Sequence, residues 1–318
     1  PDNGLDRSLV GGHMQNLLPS GQLDLALGYQ SRTFGARGFY GAPPSLASEE
    51  TVRDTLAVAS WMSPEVHGNE VRATAYWRQT TDSYVLDRHR PGLYHNEHRS
   101  VAAGAALSGR RELGANRGVS WRVDAQEERL DSRYAGTFPA DGLGTHRRRQ
   151  AGLLLLPELE VRRWQFAAGA ETRLFSEDEP AVLPAARVRF KPTPLWSLYA
   201  EYVESVRLPS YTELNYESPG SLGNAGLERQ RSRTAEAGCT YRSRTGLRFT
   251  AAVFRRWEKN AVDWVKDDPA LPWQAVTLED VTTDGLELSL DLPGHGPWTL
   301  RRVYQSPDQR PDTNVRAR

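Results

Sequence analysis

Short segments in which apolar and polar residues strictly alternate limit what this chain can fold into more than any other feature. They occur at 22–30, 70–78, 119–126 and 286–292, where the alternating apolar residues are Leu23/Leu25/Leu27, Val71/Ala73/Ala75, Val119/Trp121/Val123 and Leu286/Leu288/Leu290. A period of two places every second side chain on the same face of a β-strand. The pattern predicts about thirteen amphipathic strands whose apolar faces all lie on the convex side of one curved antiparallel sheet.

The connections between the predicted strands alternate in length. Those at 63–69, 109–118, 157–162, 191–195 and 242–246 are short, whereas those at 31–50, 79–98, 127–146, 207–229 and 256–281 are long. Bacterial outer-membrane barrels have short periplasmic turns and longer extracellular loops. The alternation therefore favours a transmembrane β-barrel and assigns the long connections to its extracellular side.

The composition is compatible with such a barrel. The mean hydropathy is −0.62, and no apolar run approaches the roughly 18 residues that a membrane helix needs. A barrel strand alternates apolar and polar residues, so its average hydropathy resembles that of a soluble protein. The 40 basic and 40 acidic residues cancel, so we expect no nucleic-acid partner. The single cysteine, Cys239, has no partner for an intrachain disulfide.

Four ordered segments carry a family resemblance. RLPSYTELN (207–215), GNAGLERQRS (223–232), NAVDW (260–264) and TTDGLELSL (282–290) together resemble signature segments of TonB-dependent outer-membrane receptors. Arg229 and Gln230 stand where the family usually has Pro-Glu, and Asn215 stands where an aromatic residue is common. FGARGFYG (34–41) is similar to a segment of the cobalamin-receptor-like branch.

The resemblance implies a fold, a location and a set of partners. It implies an all-β antiparallel transmembrane β-barrel, of which residues 1–318 are an internal fragment, incomplete at both ends and without the plug domain. The polar ending QSPDQRPDTNVRAR, with two prolines, predicts no closing strand. The implied location is the outer membrane of a Gram-negative-type bacterium. The implied partners are outer-membrane lipid, a TonB-type energy-transducing protein that acts through the missing plug and TonB box, and a scarce bulky ligand such as cobalamin or an iron chelate.

Loop aromatic residues are the candidate site. Tyr211, Tyr216, Trp264 and Trp273 lie in the long connections, and aromatic side chains above a polar lumen can bind a bulky ligand. The alternative is that they pack only against their own loops. There is no G-x-S-x-G elbow, P-loop or C-x-x-C motif, so we predict neither an enzyme nor a cofactor. The loop pair His95 and His98 lacks a metal-binding helix spacing, and we predict no metal.

A second class of protein also has many short alternating strands. A soluble all-β carbohydrate- or ligand-binding module, built as a sandwich or a propeller, would bury its apolar faces inside. It would also carry loops of similar length at its two ends. The unequal loops of this chain favour the barrel, and the side on which the apolar residues point decides between the two.

Overall fold

Nearly all of the chain is β-strand. The computed structural model describes residues 4–39, 42–137, 143–218, 220–268, 270–293 and 299–311. The strands are β1 (Leu5–Leu18), β2 (Gly21–Gly35), β3 (Glu49–Met62), β4 (Glu70–Val85), β5 (Tyr94–Gly114), β6 (Arg117–Gly136), β7 (Thr145–Val161), β8 (Trp164–Phe175), β9 (Ala181–Thr193), β10 (Trp196–Arg207), β11 (Glu217–Ser218), β12 (Ser221–Leu222), β13 (Gln230–Arg242), β14 (Arg248–Val265), β15 (Trp273–Pro293) and β16 (Thr299–Pro311). One short helix, α1 (Tyr211–Asn215), follows β10. Within the described ranges, no helix is long and apolar enough to cross a membrane.

The strands form one sheet in which consecutive long strands pair antiparallel. The order runs from β1 to β10 and continues through β13, β14, β15 and β16. Strands β11 and β12 form a small hairpin in the connection between β10 and β13, and β12 pairs parallel with the start of β15. In the described part of the chain, β1 pairs with β2 alone and β16 with β15 alone, so the sheet has two open edges.

The predicted strand number was too low. The sheet has 16 strands rather than about thirteen, and two of the 16, β11 and β12, have only two residues each. Strand β1 was missed because its glycines, Gly11 and Gly12, interrupt the alternation. Strand β16 was missed because the two prolines of the polar ending argued against a strand, yet the strand extends to Pro311.

The predicted outward sets do share one face of the sheet. Directly paired residues point to the same side, and one row of pairs crosses five strands through Leu23, Trp61, Ala73, Leu107 and Val123. On the far side of the sheet, Leu286, Leu288 and Leu290 pair with Val253, Ala251 and Phe249. Leu107, Val123, Val253 and Leu286 are exposed to the surroundings. An apolar face that is exposed all along one sheet is the lipid-facing surface of a barrel, and the expectation is confirmed.

The opposite face is polar and carries paired charges. Arg187 lies 2.9 Å from Glu201, and Arg110 lies 2.9 Å from Glu158. All long strands within the described ranges belong to one sheet, with no second sheet packed on it. A sandwich would bury its apolar faces between two sheets, so the soluble-module alternative is wrong for this chain.

Strands extend further on the long-loop side than the alternation predicted. The connection predicted at 79–98 comprises only 86–93 in the structure, because β4 ends at Val85 and β5 begins at Tyr94. The connection predicted at 256–281 comprises only 266–272. Here the backbones still pair but polar residues occur on both faces, so the sequence loses its period of two while the hydrogen-bonded ladder continues. We call this polar part of the strands the upper zone and the apolar-faced part the lower zone.

Candidate ligand-binding site

The connection between β10 and β13 contains a capped turn of helix. Ser210 accepts a hydrogen bond from the Glu213 backbone N–H at 3.2 Å, and the Glu213 carboxylate accepts one from the Ser210 N–H at 2.6 Å. This reciprocal capping box satisfies two N–H groups at the helix start. Arg207 adds two hydrogen bonds to the Glu213 carboxylate, at 2.9 and 3.2 Å. Burial opposes ionisation of Glu213, but the hydrogen bonds from Arg207 and Ser210 lower its pKa.

Two of the signature segments contact each other in this loop. The Gly223 N–H donates to the Tyr216 carbonyl, and the Asn224 N–H donates to the Glu213 carbonyl at 2.8 Å. A Cβ at position 223 would lie 2.7 Å from the Tyr216 nitrogen, so only glycine fits there without a backbone shift. The third segment joins them, because the Asn260 side chain donates to Glu228 at 3.0 Å. The motifs recognised in the sequence therefore fold this loop, which we call the mouth loop (208–229).

The mouth loop is anchored on the inner face of β7, three strands away in the sheet. Arg148 is buried and donates a hydrogen bond to the Pro209 carbonyl at 2.9 Å. Its guanidinium lies 4.8 Å from the centroid of the Tyr211 ring, which is also stacked on His146 at 5.2 Å. Arginine over a tyrosine ring is a favourable cation–π arrangement. These contacts hold the loop inward, across the polar face of the sheet.

A cavity of about 350 Å³ lies between the mouth loop and the upper zone. Strands from distant parts of the sheet contribute to it, because Glu50 is on β3 and Trp264 is on β14. The sheet must curve to bring these strands together, with its polar face inside. The residues that line the cavity are Glu50, Asp82, Tyr84, Asn96, His98, Leu143, Thr212, Tyr216, Ser221 and Trp264.

The four aromatic residues predicted to bind ligand lie in different surroundings. Tyr216 and Trp264 line the cavity together. Tyr211 lies beside it, where its ring holds the mouth loop through Arg148 and its hydroxyl is buried without a hydrogen-bond partner. Trp273 begins β15, pairs with Ser221 and is 45% exposed. Their role in binding stays a prediction.

The polar cavity residues were not predicted. Glu50, Asp82 and Asn96 come from three strands, and only the register of those strands places them side by side. Burial, together with the negative charge of Glu50, raises the pKa of Asp82 to about 6. Burial also lowers the pKa of His98. No signal in the sequence alone identifies them, because their meeting depends on the register of β3, β4 and β5.

The two histidines considered as a metal pair are strand residues rather than loop residues. His95 and His98 lie on β5, whose residues at these positions point to opposite faces. His95 contacts Ser83 at 2.9 Å, and His98 contacts Ser132 at 2.8 Å. In the described part of the chain, no group of three or more metal-ligating side chains is close enough to hold a metal ion.

These features define a class of protein. A curved antiparallel sheet with an apolar outer face, a polar inner face, short turns at one end and long loops at the other is the wall of a transmembrane β-barrel. The chain belongs to the family described as TonB dependent receptor-like, beta-barrel, whose model matches residues 2–314. Proteins of this family are transport receptors of the Gram-negative outer membrane rather than enzymes.

Solved structures of similar fold come from several bacteria. The siderophore receptor PirA from Pseudomonas aeruginosa has a TM-score of 0.70 at 14% identity, over 96% of this chain and 57% of that chain. A double mutant of the Serratia marcescens hemophore receptor HasR, in complex with its hemophore HasA and heme, has a TM-score of 0.74 at 16% identity, over 97% and 55%. The FrpB iron transporter from Neisseria meningitidis (F5-1 variant) has a TM-score of 0.74 at 13% identity, over 98% and 55%.

The chain spans little more than half the length of these three proteins. At such low identity the likeness establishes the fold alone. No curated protein sequence matches the chain.

Proposed function

We propose that this chain forms the wall and extracellular mouth of an outer-membrane receptor that captures an iron chelate for TonB-dependent uptake. The observation that carries the proposal is the cavity under the mouth loop, to which Tyr216 and Trp264 both contribute. Its volume of about 350 Å³ falls within the usual range of small-molecule sites, about 300–1,000 Å³. The similar structures include a siderophore receptor, a hemophore receptor with heme and an iron transporter, and these support the iron-chelate class. Cobalamin stays a prediction from residues 34–41, of which 40 and 41 lie outside the described residues.

The remaining partners belong to the same proposal. The apolar outer rows would contact outer-membrane lipid. A TonB-type energy-transducing protein would act through a plug domain, which we expect outside residues 1–318 because the chain spans about half of its solved relatives. That plug would lie against the polar inner face, where the ion pairs between neighbouring strands line the lumen.

The test removes the two cavity aromatic side chains from the full-length receptor. Each ring stacked on a ligand is worth about 0.5–1.5 kcal/mol beyond its buried area. Trp264→Ala combined with Tyr216→Ala should therefore weaken capture of the ferric chelate that the receptor takes up by about tenfold or more. The measurement is the dissociation constant of the radiolabelled chelate on whole cells, with chelate-dependent growth as the second readout.

Trp257→Ala is the matched control. Trp257 lies on the same strand, β14, but pairs with Arg233 and Thr282 on the outer face. Its removal should leave capture unchanged. Unaltered capture by a correctly assembled Trp264/Tyr216 double variant would exclude the cavity as the ligand site.

A further inference from the structure

A groove of about 430 Å³ crosses the outer face of the sheet, at the upper end of β10, β13 and β14. On β14, Trp257 and Lys259 lie an even number of residues from Val253, which is exposed on the outer face, so they share that face. Arg233 and Arg231 are their register partners on β13. Three cations and two aromatic side chains therefore line the groove on this face: Arg231, Arg233, Lys259, Tyr202 and Trp257.

The groove begins where the apolar part of the outer face ends. On β10, the outward residues Leu198 and Ala200 precede Tyr202, and the next outward residue is Glu204. Aromatic side chains at the rim of an apolar band mark the level of the lipid headgroups. Tyr202 and Trp257 therefore place the groove at the interface between membrane and water, at the end of the strands that carries the mouth loop.

One buried carboxylate holds two of the cations. Glu204 lies 2.5 Å from Arg231 and 3.5 Å from Arg233, and its side chain is only 7% exposed. The Tyr202 hydroxyl donates a hydrogen bond to the same carboxylate at 2.6 Å. The two guanidinium groups are therefore positioned side by side, and together with Glu204 they carry one net positive charge.

The third cation leaves this excess of positive charge in place. Lys259 is the register partner of Asp280, which also lines the groove. Glu258 is a lining residue as well, but the alternation of the strand turns its side chain to the inner face, where it accepts a hydrogen bond from Gln230 at 2.9 Å. Three cations thus stand beside two carboxylates on the outer face, and the groove favours an anion.

The position of the groove selects the kind of anion. Guanidinium groups hold phosphate through parallel N–H donors, and basic pockets at the membrane surface bind phosphorylated lipid headgroups. Below the groove, Ala200, Ala237 and Val253 form a paired row on the lipid-facing side. A lipid with its phosphate in the groove would lay its acyl chains along this row.

We propose that Arg231, Arg233 and Lys259 bind the phosphate group of a glycolipid in the outer leaflet, with the rings of Tyr202 and Trp257 against its sugar. The site goes beyond the proposed function, because it lies on the opposite side of the wall from the cavity and takes no part in ligand capture. Since β13 begins directly after the mouth loop, the bound lipid would hold the strand to which that loop is attached.

The experiment measures lipid binding to the full-length receptor in detergent micelles by native mass spectrometry. The probes are lipid A with two phosphate groups and the same lipid with its phosphates removed. We expect the phosphorylated form to bind at least about tenfold more tightly, the usual effect of hydrogen bonds between charged groups. Inorganic phosphate at the same concentration should not displace it, because the free ion contacts neither the rings nor the apolar row.

Two double variants locate the effect. Arg233→Gln combined with Lys259→Gln should remove the preference for the phosphorylated lipid, while Arg231 stays in place to pair with Glu204. Arg242→Gln combined with Arg248→Gln is the control, because these two arginines pair with each other at the opposite end of the same two strands. It removes the same charge and should leave the preference intact.

The wild-type receptor provides the check that needs no variant, since equal binding of the two lipids would overturn the site. Displacement by inorganic phosphate at equal concentration would also overturn it, by showing a site for a free ion. A preference that survives Arg233→Gln with Lys259→Gln, or that is lost equally in the control, would place the phosphate elsewhere and exclude the groove. Capture of the ferric chelate is scored separately and should be unchanged in both variants.

Discussion

The lower and upper zones of the same strands follow different rules. In the lower zone of β14, Phe249, Ala251 and Val253 alternate with inward residues and pair with the outward leucines of β15. In the upper zone of the same strand, Lys259 points to that outer face and Asn260 has a left-handed backbone with φ of 55°. Backbone pairing continues through both zones. Lipid therefore imposes the alternation of apolar and polar residues, whereas the hydrogen-bonded ladder alone extends the sheet into water.

The largest effect should come from a charge on the lipid-facing side of the lower zone. Leu288→Arg places a cation where Leu288 pairs with Ala251 on the outer face, and near the bilayer midplane this costs about 2–4 kcal/mol. Glu287→Arg, one residue away on the inner face, should be mild. The measurement is urea unfolding of the full-length receptor in lipid vesicles. Equal costs would remove the distinction between the faces.

A close contact inside the lower zone gives the next effect. A Cβ at Gly238 would lie 2.7 Å from both the Ala251 carbonyl oxygen and the Tyr199 ring. Gly238→Val should destabilise the barrel by about 1–3 kcal/mol through overpacking. Gly28→Val is the control, since nothing lies within 4 Å of a Cβ there. The unfolding midpoints of the two variants should differ in the same urea titration.

Above the upper zone, the mouth loop is stabilised by the N-cap of helix α1, and loss of this cap should have the next largest effect. Ser210→Ala removes the acceptor for the Glu213 N–H, and the loss of an N-cap costs about 1 kcal/mol. Because the helix belongs to the mouth loop, the cost should appear as faster amide hydrogen exchange across 208–229. Global unfolding should not change. Ser243→Ala, which removes a cap to Leu247 N–H in a short turn at the opposite end, should leave exchange in the mouth loop as it is.

The smallest effect should be a gain in stability. The folded-state pKa of Asp82 is raised to about 6 from 3.8, so between these values the folded receptor holds the proton more tightly, and stability falls as the pH rises through this window. Asp82→Asn should therefore raise the thermal midpoint at pH 7.5 by about 1–2 °C and have no effect below pH 4. A lower midpoint at pH 7.5 would show that the carboxylate is paired rather than isolated.

The strands of the lower zone could be predicted from the sequence because contact with lipid requires apolar residues at every second position. Leu23, Val123 and Leu288 were placed on the correct face from spacing alone. Strand β1 was not predicted because its two glycines carry no side chain to mark a face. The upper ends of β4 and β5 were not predicted because polar residues occur on both of their faces, so their sequence has no period of two. Tyr216 and Trp264 could be picked as aromatic residues in long connections. Glu50, Asp82 and Asn96 could not, since their meeting depends on register and curvature.

The folded state of the mouth loop bears on the thermodynamics of capture. Its capping box, the close packing of Gly223 and the Arg148 anchor are all contacts between residues of the chain itself. Fixing the backbone of one residue costs about 1–2 kcal/mol of conformational entropy, so a loop that ordered only around its ligand would subtract that cost from the affinity. Here the conformational entropy of the mouth loop is lost when the receptor folds rather than when the ligand binds. A ligand that reaches the mouth would bind to a preformed surface, at a rate set by diffusion rather than by closure of the loop.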